Sequence, residues 1–376
     1  MLEIYLPIAQ VNIDIFLLLF LSLAVGVLSG LFGVGGGFLM TPFLIFMGIP
    51  PVYAVPNEVN NILATSVSGS LTHWYKNTLD YKMGLMIVSG GVVGTILGIT
   101  TFTFFSDIGK ISIIISLLYM YLLAMVGTLM LIQTYKEKTN QSKKTSIKQK
   151  LHDHNWLQGL PIRMRFPKSK LYESAITPIL LGLVVGFVAA MMGIGGAFLM
   201  VPAMIYIVGM PVKLIPGTSL FVTIFISAIV TVLHAFNYGS IDLFLVIPLI
   251  LGSIIGVQLG QKLGQFLDST ELKSLFAMLL ISVAIAIGYD SFFRDKSNYN
   301  GETVIKTDLN ALAEFTVNFA SEAPFLYGTL AILLAVALGA LIAFMRKILS
   351  PIIRKMLSDF RKKETKKVEE VKFPEK

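Results

Sequence analysis

Residues 33–42 read GVGGGFLMTP, and residues 193–202 read GIGGAFLMVP. Beyond these two stretches, glycines, prolines, a histidine and an aspartate also correspond: Gly48 with Gly209, Pro50 with Pro211, Pro56 with Pro216, His73 with His234, Asp80 with Asp242, and Gly90, Gly94 and Gly98 with Gly252, Gly256 and Gly260. Unrelated apolar helices would not keep residues of such different chemistry in register. The sequence therefore predicts a chain made of two homologous halves.

Charge and hydrophobicity are segregated along the chain. Hydrophobic residues make up 55% of it and charged residues 14%, against about a quarter charged in soluble domains. Most apolar segments approach the roughly 20 residues that a helix needs to cross a bilayer. They lie at 12–32, 36–49, 57–75, 84–105, 111–133, 174–192, 196–209, 216–235, 242–263, 272–290 and 325–345. The sequence therefore predicts an integral membrane protein.

The net charge of +8 resides mainly in connecting segments and in the C-terminal tail. Basic cytoplasmic loops explain that distribution better than a nucleic-acid partner does. The chain has no cysteine, which excludes disulfides and thiolate chemistry. The N-terminus lacks the basic region of a cleavable signal, so residues 12–32 are predicted to form a permanent first span.

The distribution of charge also predicts the orientation of the spans. The linker 134–173 and the tail 346–376 are basic and are expected in the cytoplasm, whereas the loop 291–324 is acidic on balance and is expected outside. Two short apolar segments, 36–49 and 196–209, could cross the membrane or re-enter it. Linker and tail share one side only if an even number of crossings separates them, which favours crossing. The N-terminus then lies outside.

The predicted fold is an all-α integral membrane protein built from two five-segment repeats, 1–133 and 174–290. Each repeat has a short or broken helix after its glycine run, and residues 325–345 add one further transmembrane helix. With five crossings per repeat, the second copy enters the membrane from the opposite side. The result is an inverted repeat, which is typical of alternating-access transporters. Re-entrant short segments would instead make the repeats parallel.

The paired glycine blocks resemble those of the sulfite exporter TauE/SafE family. Each block is followed by Gly-x-Pro, a helix start, a histidine and a turn that ends in aspartate, and the second half is the closer match, with PGTSL at 216–220. The resemblance covers roughly residues 20–290. It implies a permease of the cytoplasmic membrane that moves small anions, among them sulfite, sulfonates and related organic acids, through a site between the repeats.

The chain departs from the family pattern in its first half, its linker and its C-terminus. The first half reads PNEVNN at 56–61, where a Thr-Ser pair is expected. The linker is long and basic, and an extra helix with a charged tail follows the repeats. The first of these departures lies where substrate contacts are expected.

The glycine runs are candidate anion sites because they precede helices. The free N–H groups and the dipole of a helix N-terminus favour an anion, and glycine lets an oxyanion approach the backbone. The predicted contacts are Gly35, Gly36, Gly37, Gly195 and Gly196. Inverted repeats would bring the two helix starts together near the midplane. The alternative is close helix packing without a ligand.

Hydroxyl and amide side chains on the following helices could supply selectivity. The predicted substrate contacts are Asn57, Asn61, Thr65, Thr218, Ser219 and Thr223. Ser and Thr in membrane helices often bond to the preceding turn instead, and Thr218 could act only as a helix cap. Asp80 and Asp242 stand in turns, where they are predicted to cap the helices that follow.

The candidates for proton coupling are Glu58, His73 and His234. A carboxylate inside the membrane is a proton or cation site by default. The alternative for Glu58 is a solvated glutamate at a helix start. His73 stands beside Trp74 and Tyr75, which favours membrane anchoring for this histidine.

The predicted function is a secondary permease for a small anion, with no cofactor or metal, and with the substrate and the lipid bilayer as its partners. No Gly-x-x-x-x-Gly-Lys-(Ser/Thr) loop occurs, so ATP-driven pumping is not supported. A membrane-embedded enzyme would need a nucleophile–base pair or a metal cluster in the spans, and neither is evident. His152 and His154 lie in the basic linker, where solvation is expected rather than a metal. An anion channel and a non-transporting scaffold are the alternatives.

Overall fold

The computed structural model describes residues 3–32, 39–140, 161–211, 213–263, 269–293 and 311–345. Helices dominate this part of the chain. In order they are α1 (Ile15–Phe32), α2 (Met40–Phe46), α3 (Pro51–Tyr75), α4 (Tyr81–Asp107), α5 (Ile111–Asn140), α6 (Ile176–Met192), α7 (Ala197–Tyr206), α8 (Ile215–Tyr238), α9 (Leu243–Leu263), α10 (Ser269–Phe293), α11 (Ala311–Glu322) and α12 (Pro324–Met345).

Several of the described helices suit a membrane. Those long and apolar enough to cross one are α4, α8, α9, α12 and the Ile111–Ile132 part of α5. Shorter apolar helices lie at Ile15–Leu31, Ile176–Met192 and Ser274–Tyr289. Their outward faces carry large apolar side chains, such as Phe20 and Leu333, which are 67% and 68% exposed. Large exposed apolar surfaces of this kind suit contact with lipid rather than with water. The prediction of a helical, multi-pass membrane protein is confirmed.

In the described part of the chain, two short antiparallel β-hairpins that the sequence did not predict accompany the helices, one before α1 and one before α6. In the first hairpin, β1 (Glu3–Leu6) pairs with β2 (Val11–Asp14). In the second, β3 (Arg163–Phe166) pairs with β4 (Leu171–Ser174). Strands of 4 residues are too short for an alternating pattern to stand out in the sequence. The first helix consequently begins at Ile15 instead of residue 12.

Other predicted boundaries shift as well. α5 continues to Asn140, so the linker predicted at 134–173 loses its first residues to this helix and its last residues to the second hairpin. The loop predicted at 291–324 contains α11. α3 begins at Pro51 rather than at 57, because the fixed φ of proline suits the first position of a helix.

α2 and α7 are the short helices that follow the two glycine runs. With 7 and 10 residues they are about 10 and 15 Å long, much less than the roughly 30 Å of a hydrocarbon core. Neither helix can cross a membrane by itself, so a crossing there needs the glycine loop as well. The first glycine run falls in residues 33–38, which lie outside the described residues.

Several helix pairs join the N-terminal part of the chain to the C-terminal part, among them α5 with α10 and α3 with α8. α1 packs along α9, and α4 packs along α6. A Cβ atom at Gly94 in α4 would overlap the carbonyl oxygen of Leu183 in α6, and one at Gly256 in α9 would overlap that of Leu23 in α1. Between helices in lipid, van der Waals packing replaces the hydrophobic effect as the driving force. The glycines repeated in the sequence therefore serve as helix contacts.

These contacts also give the relative direction of the helices. Gly252 in α9 meets the early part of α1 and Gly260 meets its end, so these two helices are parallel. α4 and α6 are parallel by the same criterion. α3 and α8 are antiparallel, because Gly217 at the start of α8 lies against His73 near the end of α3.

A buried aspartate ahead of α9 holds the first hairpin. Asp242 Oδ2 accepts hydrogen bonds from the backbone N–H groups of Ile8 at 3.0 Å and Ala9 at 3.4 Å, and Oδ1 accepts from Phe244 N–H at 3.0 Å. The Asp242 N–H donates to Asn57 Oδ1 at 2.7 Å, which ties the start of α3 to the same place. Burial raises the pKa of the Asp242 carboxyl, while neighbouring N–H groups act in the opposite direction. We call this arrangement the Asp242 clamp.

An equivalent arrangement, the Asp80 clamp, holds the second hairpin. Asp80 Oδ2 accepts hydrogen bonds from the N–H and the hydroxyl of Ser169. Oδ1 accepts from Met83 N–H at 3.1 Å, which confirms the predicted cap of α4. The Asp80 N–H donates to Thr218 Oγ1 at 3.0 Å. Here the aspartate belongs to the N-terminal part and the hairpin to the C-terminal part, the reverse of the Asp242 clamp.

Candidate functional site

α3 buries many polar side chains for a helix in an apolar bundle. They are Asn57, Glu58, Asn60, Asn61, Thr65, Ser66, Ser68 and Ser70. Lipid offers no hydrogen-bond partners, so these groups must find them in the protein or in a bound molecule. The candidate site is therefore built outward from this helix.

Glu58 is 0% exposed and lies within α3. The alternative of a solvated glutamate at a helix start is wrong, because α3 already begins at Pro51. Asn61 Nδ2 lies 3.2 Å from Glu58 Oε1 and 3.1 Å from Oε2, one turn along the same face. It also lies 3.0 Å from Ser253 Oγ in α9. The amide of Asn61 thus joins the carboxyl to the α1–α9 pair.

Two side chains from other helices complete the surroundings of Glu58. The Tyr119 hydroxyl in α5 donates to the Met192 carbonyl oxygen at 2.5 Å, next to Thr41 and within electrostatic reach of Glu58. Thr41 Oγ1 in α2 is buried and has no hydrogen-bond partner in the described part of the chain. A Cβ at Gly193 would lie 3.2 Å from this oxygen. The second glycine loop therefore reaches the first short helix.

We call this group the polar centre, and its members are Thr41, Glu58, Asn61, Tyr119 and Ser253. The sequence identified two of them, the carboxyl and the amide on α3. Thr41 could have been found as well, because it is the polar position inside the repeated block. Ser253 directly follows a glycine of the repeated stripe. Nothing in the sequence distinguishes Tyr119 from the other tyrosines, so only tertiary contacts reveal it.

Gly195 and Gly196 directly precede α7, with φ angles of 68° and 79°, a region that side-chain-bearing residues avoid. A Cβ at Gly195 would overlap Ile62, and one at Gly196 would overlap Val185. Close packing thus accounts for both glycines. It also sets the start of α7 against α3 near the polar centre, where its free N–H groups favour an anion. Outside the described residues lie Gly35, Gly36 and Gly37.

The other residues predicted to contact substrate form hydrogen bonds with other groups of the protein. The hydroxyls of Thr65, Ser219 and Thr223 donate to carbonyl oxygens three or four residues earlier in their own helices, as the alternative interpretation expected. Asn57 donates to two backbone carbonyl oxygens, at 2.6 and 3.1 Å, in addition to its role in the Asp242 clamp. Thr218 belongs to the Asp80 clamp.

Thr218 and Ser219 also lie away from the polar centre. They open α8, whose start meets the end of α3 near His73. At 1.5 Å per residue, His73 and Glu58 are about 22 Å apart along the helix axis. The residues predicted from the sequence to contact substrate therefore lie at two different levels along α3.

The two predicted histidines have different surroundings. His234 is fully buried, and its Nε2 lies 3.1 Å from the Ala190 carbonyl oxygen. His73 is half-buried, with Nδ1 2.9 Å from Thr78 Oγ1, and it is next to the exposed indole of Trp74. That position agrees with membrane anchoring. Among the described residues, no group of His, Cys, Asp and Glu side chains is arranged to hold a metal ion.

A family model described as sulfite exporter TauE/SafE matches residues 18–287. The chain is 29% identical over 265 residues to the probable membrane transporter protein YjnA of Bacillus subtilis (strain 168), covering 70% of this chain and 96% of the relative. It is 24% identical over 285 residues to the probable membrane transporter protein YunE of the same organism, covering 74% and 98%. A probable membrane transporter protein of Xylella fastidiosa (strain 9a5c) is 27% identical over 274 residues, covering 71% and 92%. No solved structure gives a significant match.

Proposed function

The chain belongs to the sulfite exporter TauE/SafE family, and on this basis we propose that it is a secondary transporter that carries a small anion across the cytoplasmic membrane. The names of its relatives specify membrane transport, which speaks for a carrier rather than an enzyme. The proposed substrate class is sulfite, a sulfonate or a related organic acid.

An inverted repeat is the proposed architecture, and the two clamps support it. The Asp242 clamp gathers the starts of α1 and α3 at one end of the bundle. α1 leads away from that end and α3 starts at it, so we propose one further crossing between these two helices, to which the short helix α2 belongs. The Asp80 clamp gives the same argument for residues 193–214. Each half then makes five passes, in opposite senses.

The charges of the two ends support one orientation of this architecture. The second hairpin, with Arg163, Arg165, Lys168 and Lys170, is the C-terminal part of the basic linker predicted at 134–173. We place the end that carries this hairpin in the cytoplasm and the uncharged turn of the first hairpin outside. Two inverted halves in reciprocal contact fit alternating access, in which the halves rock around a central site.

The proposed substrate site is the polar centre, together with the start of α7. The single observation that carries this proposal is the hydroxyl of Thr41, which is buried beside the Tyr119 hydroxyl without a hydrogen bond of good geometry in the described residues and adjoins the glycine loop of the other half. A buried hydroxyl without a partner costs about 1–3 kcal/mol. An oxyanion that accepts from Thr41 and from the first N–H groups of α7 would remove that cost.

Glu58 gives the proposed transport a proton dependence. Two like charges about 4 Å apart repel by about 4 kcal/mol at an effective dielectric of 20. An anion would therefore enter beside Glu58 only when the carboxyl carries a proton. Asn61, with its amide nitrogen on both carboxyl oxygens, positions that group. The proposed mechanism is therefore proton-coupled movement of the anion, with Glu58 as the proton carrier.

Flux measurements on the purified, reconstituted protein test this function. The panel consists of sulfite, sulfate, thiosulfate, simple sulfonates, carboxylates and phosphate, each loaded into proteoliposomes. We expect saturable flux for at least one anion, and a rise in melting temperature with the same anion. Flux that rises linearly with the anion concentration would indicate a channel instead of a carrier. Absence of both flux and thermal shift for every anion would overturn the proposal.

Thr41→Val locates the site. The substitution keeps the shape of the side chain and removes the hydroxyl, so we expect KM to rise about tenfold, the equivalent of one hydrogen bond to a charged group. Thr223→Val is the matched control, because that buried hydroxyl donates within its own helix, and it should leave KM unchanged. An equal effect of both variants would place the substrate elsewhere.

A further inference from the structure

The second hairpin carries a cavity of about 490 Å³ on its turn, lined by Arg165, Phe166, Pro167, Lys170, Leu171 and Tyr172. The side chains of Arg165 and Lys170 are exposed on its sides. Lys82 reaches it from α4, since its Nζ donates to the Arg165 carbonyl oxygen at 2.8 Å and lies 5.7 Å from the centre of the Phe166 ring. Two cations therefore line the cavity, and a third, Lys82, contacts two of its lining residues.

Aromatic side chains place this cavity at the surface of the bilayer. Trp74 and Tyr172 are 55% and 64% exposed at this end of the bundle, and the rings of Trp74 and Tyr81 meet edge to face at 5.4 Å. Lys168 Nζ lies 5.8 Å from the centre of the Tyr81 ring. Exposed Trp and Tyr concentrate at the level of lipid headgroups. The cavity thus opens where phospholipid phosphates lie.

The first hairpin shows that these cations are not needed to build such a hairpin. β1 and β2 pair in the same register relative to their turn as β3 and β4 do, and an aspartate clamps each turn. Yet residues 3–14 contain no Lys or Arg. The exposed cations Arg165 and Lys170 are therefore not required to form a hairpin of this kind.

We propose that this cavity binds the phosphate-bearing headgroup of an anionic phospholipid from the adjoining leaflet. The planar guanidinium of Arg165 matches two phosphate oxygens, and Lys170 and Lys82 add point charges. Tyr172 and Leu171 offer apolar surface to the glycerol and the upper acyl chain. Basic pockets beside transmembrane helices suit such headgroups because the lipid's own phosphate satisfies the charge. This binding does not depend on the substrate proposed above.

Titration of the full-length, delipidated protein with defined vesicles tests the proposal. Thermal unfolding is followed against phosphatidylglycerol, phosphatidylcholine and inorganic phosphate. We expect saturable stabilisation by phosphatidylglycerol, none of comparable affinity by phosphatidylcholine, and none by inorganic phosphate at matched concentration. Equal stabilisation by both lipids would overturn the proposal, and so would tighter binding of free phosphate than of the lipid.

Two variants separate the site from general surface charge. Arg165→Ala combined with Lys170→Ala should weaken binding of phosphatidylglycerol about thirtyfold, the equivalent of two cations near a charged surface. Lys110→Ala, an exposed cation in the α4–α5 turn, should change it by less than about twofold. If the double variant does not fold, Arg165→Gln alone should still give a loss of about fivefold. An unchanged affinity, or the same loss in the Lys110 variant, would contradict a built site.

Discussion

Glu58 and Asn61 lie one helical turn apart in α3, where the amide contacts the carboxyl. The carboxyl is buried, and the amide nitrogen lies within hydrogen-bonding distance of both its oxygens and of Ser253 Oγ. Because the amide oxygen of Asn61 has no hydrogen-bond partner in the described residues, the side chain has an acceptor left for a bound group. At the residue scale, Asn61 is therefore a side chain that joins Glu58 to α9.

Glu58→Gln should separate anion movement from proton movement. The amide is close in shape to the carboxyl but binds no proton between pH 5 and 8, so the variant should fold while its flux loses its dependence on pH. A pH-sensitive dye inside proteoliposomes, loaded with the anion found in the flux panel, would report the coupled proton. Glu314→Gln, at an exposed site in α11, is the control. Proton movement that persists in the Glu58 variant would exclude this carboxyl as the carrier.

Helix pairing in this protein depends on residues that lack side chains. α4 and α6 approach so closely that a Cβ at Gly94 would overlap the Leu183 carbonyl oxygen. The obstacle is backbone, which cannot rotate away as a flexible side chain can. At the element scale, the glycine stripes thus fix the separation of the α4–α6 and α1–α9 pairs.

Gly94→Ala should accordingly destabilise the protein by about 1–3 kcal/mol, the usual cost of overpacking. Thermal unfolding in detergent measures this effect. Val93→Ala is the matched control, because Val93 is 50% exposed on the adjacent outward face and should have little effect. Equal melting temperatures for the Gly94 variant and the unmodified protein would mean that α4 and α6 are not held this closely.

The substitution Asp242→Asn tests, at the same element scale, how strongly the Asp242 clamp holds the first hairpin. The carboxylate accepts hydrogen bonds from backbone N–H groups at both oxygens, and an asparagine would turn its NH₂ group towards at least one of these donors. We therefore expect the docked hairpin to lose about 1.5–3 kcal/mol of stability. Deuterium exchange at the backbone amides of residues 3–14 should become faster, while exchange at 163–174 should not change. Asp14→Asn, whose side chain accepts a bond from exposed Phe16, serves as control. Uniform acceleration across the chain would indicate general destabilisation instead.

α12 shows how the whole molecule extends beyond the family match, which ends at residue 287. It is packed against α3 and α8, not simply attached at the edge. Asn60 in α3 donates to the Ala331 carbonyl oxygen at 3.4 Å, and a Cβ at Gly328 would approach Ala235 in α8 to 2.7 Å. The additional helix thus covers polar groups of α3 that would otherwise face lipid.

Gly339→Leu should push α12 away from the bundle, because a Cβ at this position would overlap the Ala64 carbonyl oxygen. We expect a lower melting temperature, by several degrees for a loss of about 1–3 kcal/mol. Leu333→Ala, on the lipid-facing side of α12, should leave the melting temperature nearly unchanged. A larger loss of melting temperature in the Leu333 variant than in the Gly339 variant would show that α12 stabilises the protein through lipid contact rather than through packing on α3.

The sequence predicted what depends on composition and missed what depends on tertiary contact. Long apolar segments gave α4, α5, α8 and α9 with small boundary errors, and turn chemistry identified Asp80 as a cap. The hairpins escaped because four-residue strands leave no periodic pattern. Glu58 stays a candidate for proton coupling, but its expected place at the helix start was wrong, because α3 already begins at Pro51 and the carboxyl is buried.

The candidate site shows the same division. The sequence pointed to Glu58 and Asn61 because polar residues in an apolar helix are conspicuous. It also grouped Thr218 and Ser219 with them, because repeated position suggested a shared role. Contacts place Thr218 and Ser219 near His73, about 22 Å along α3 from Glu58, and they add Tyr119, which no local pattern marks. Distance between helices cannot be inferred from spacing along a chain.

The two clamps also differ in the order in which they can close during synthesis. The bond from Ser169 to Asp80 spans 89 positions of the chain, whereas the bond from Ile8 to Asp242 spans 234. As the ribosome delivers residues in order, the second hairpin meets its aspartate soon after it emerges. The first hairpin, although made at the outset, has no aspartate to dock on until most of the chain has been translated. The Asp80 clamp can therefore close after a much shorter length of chain has been made than the Asp242 clamp can.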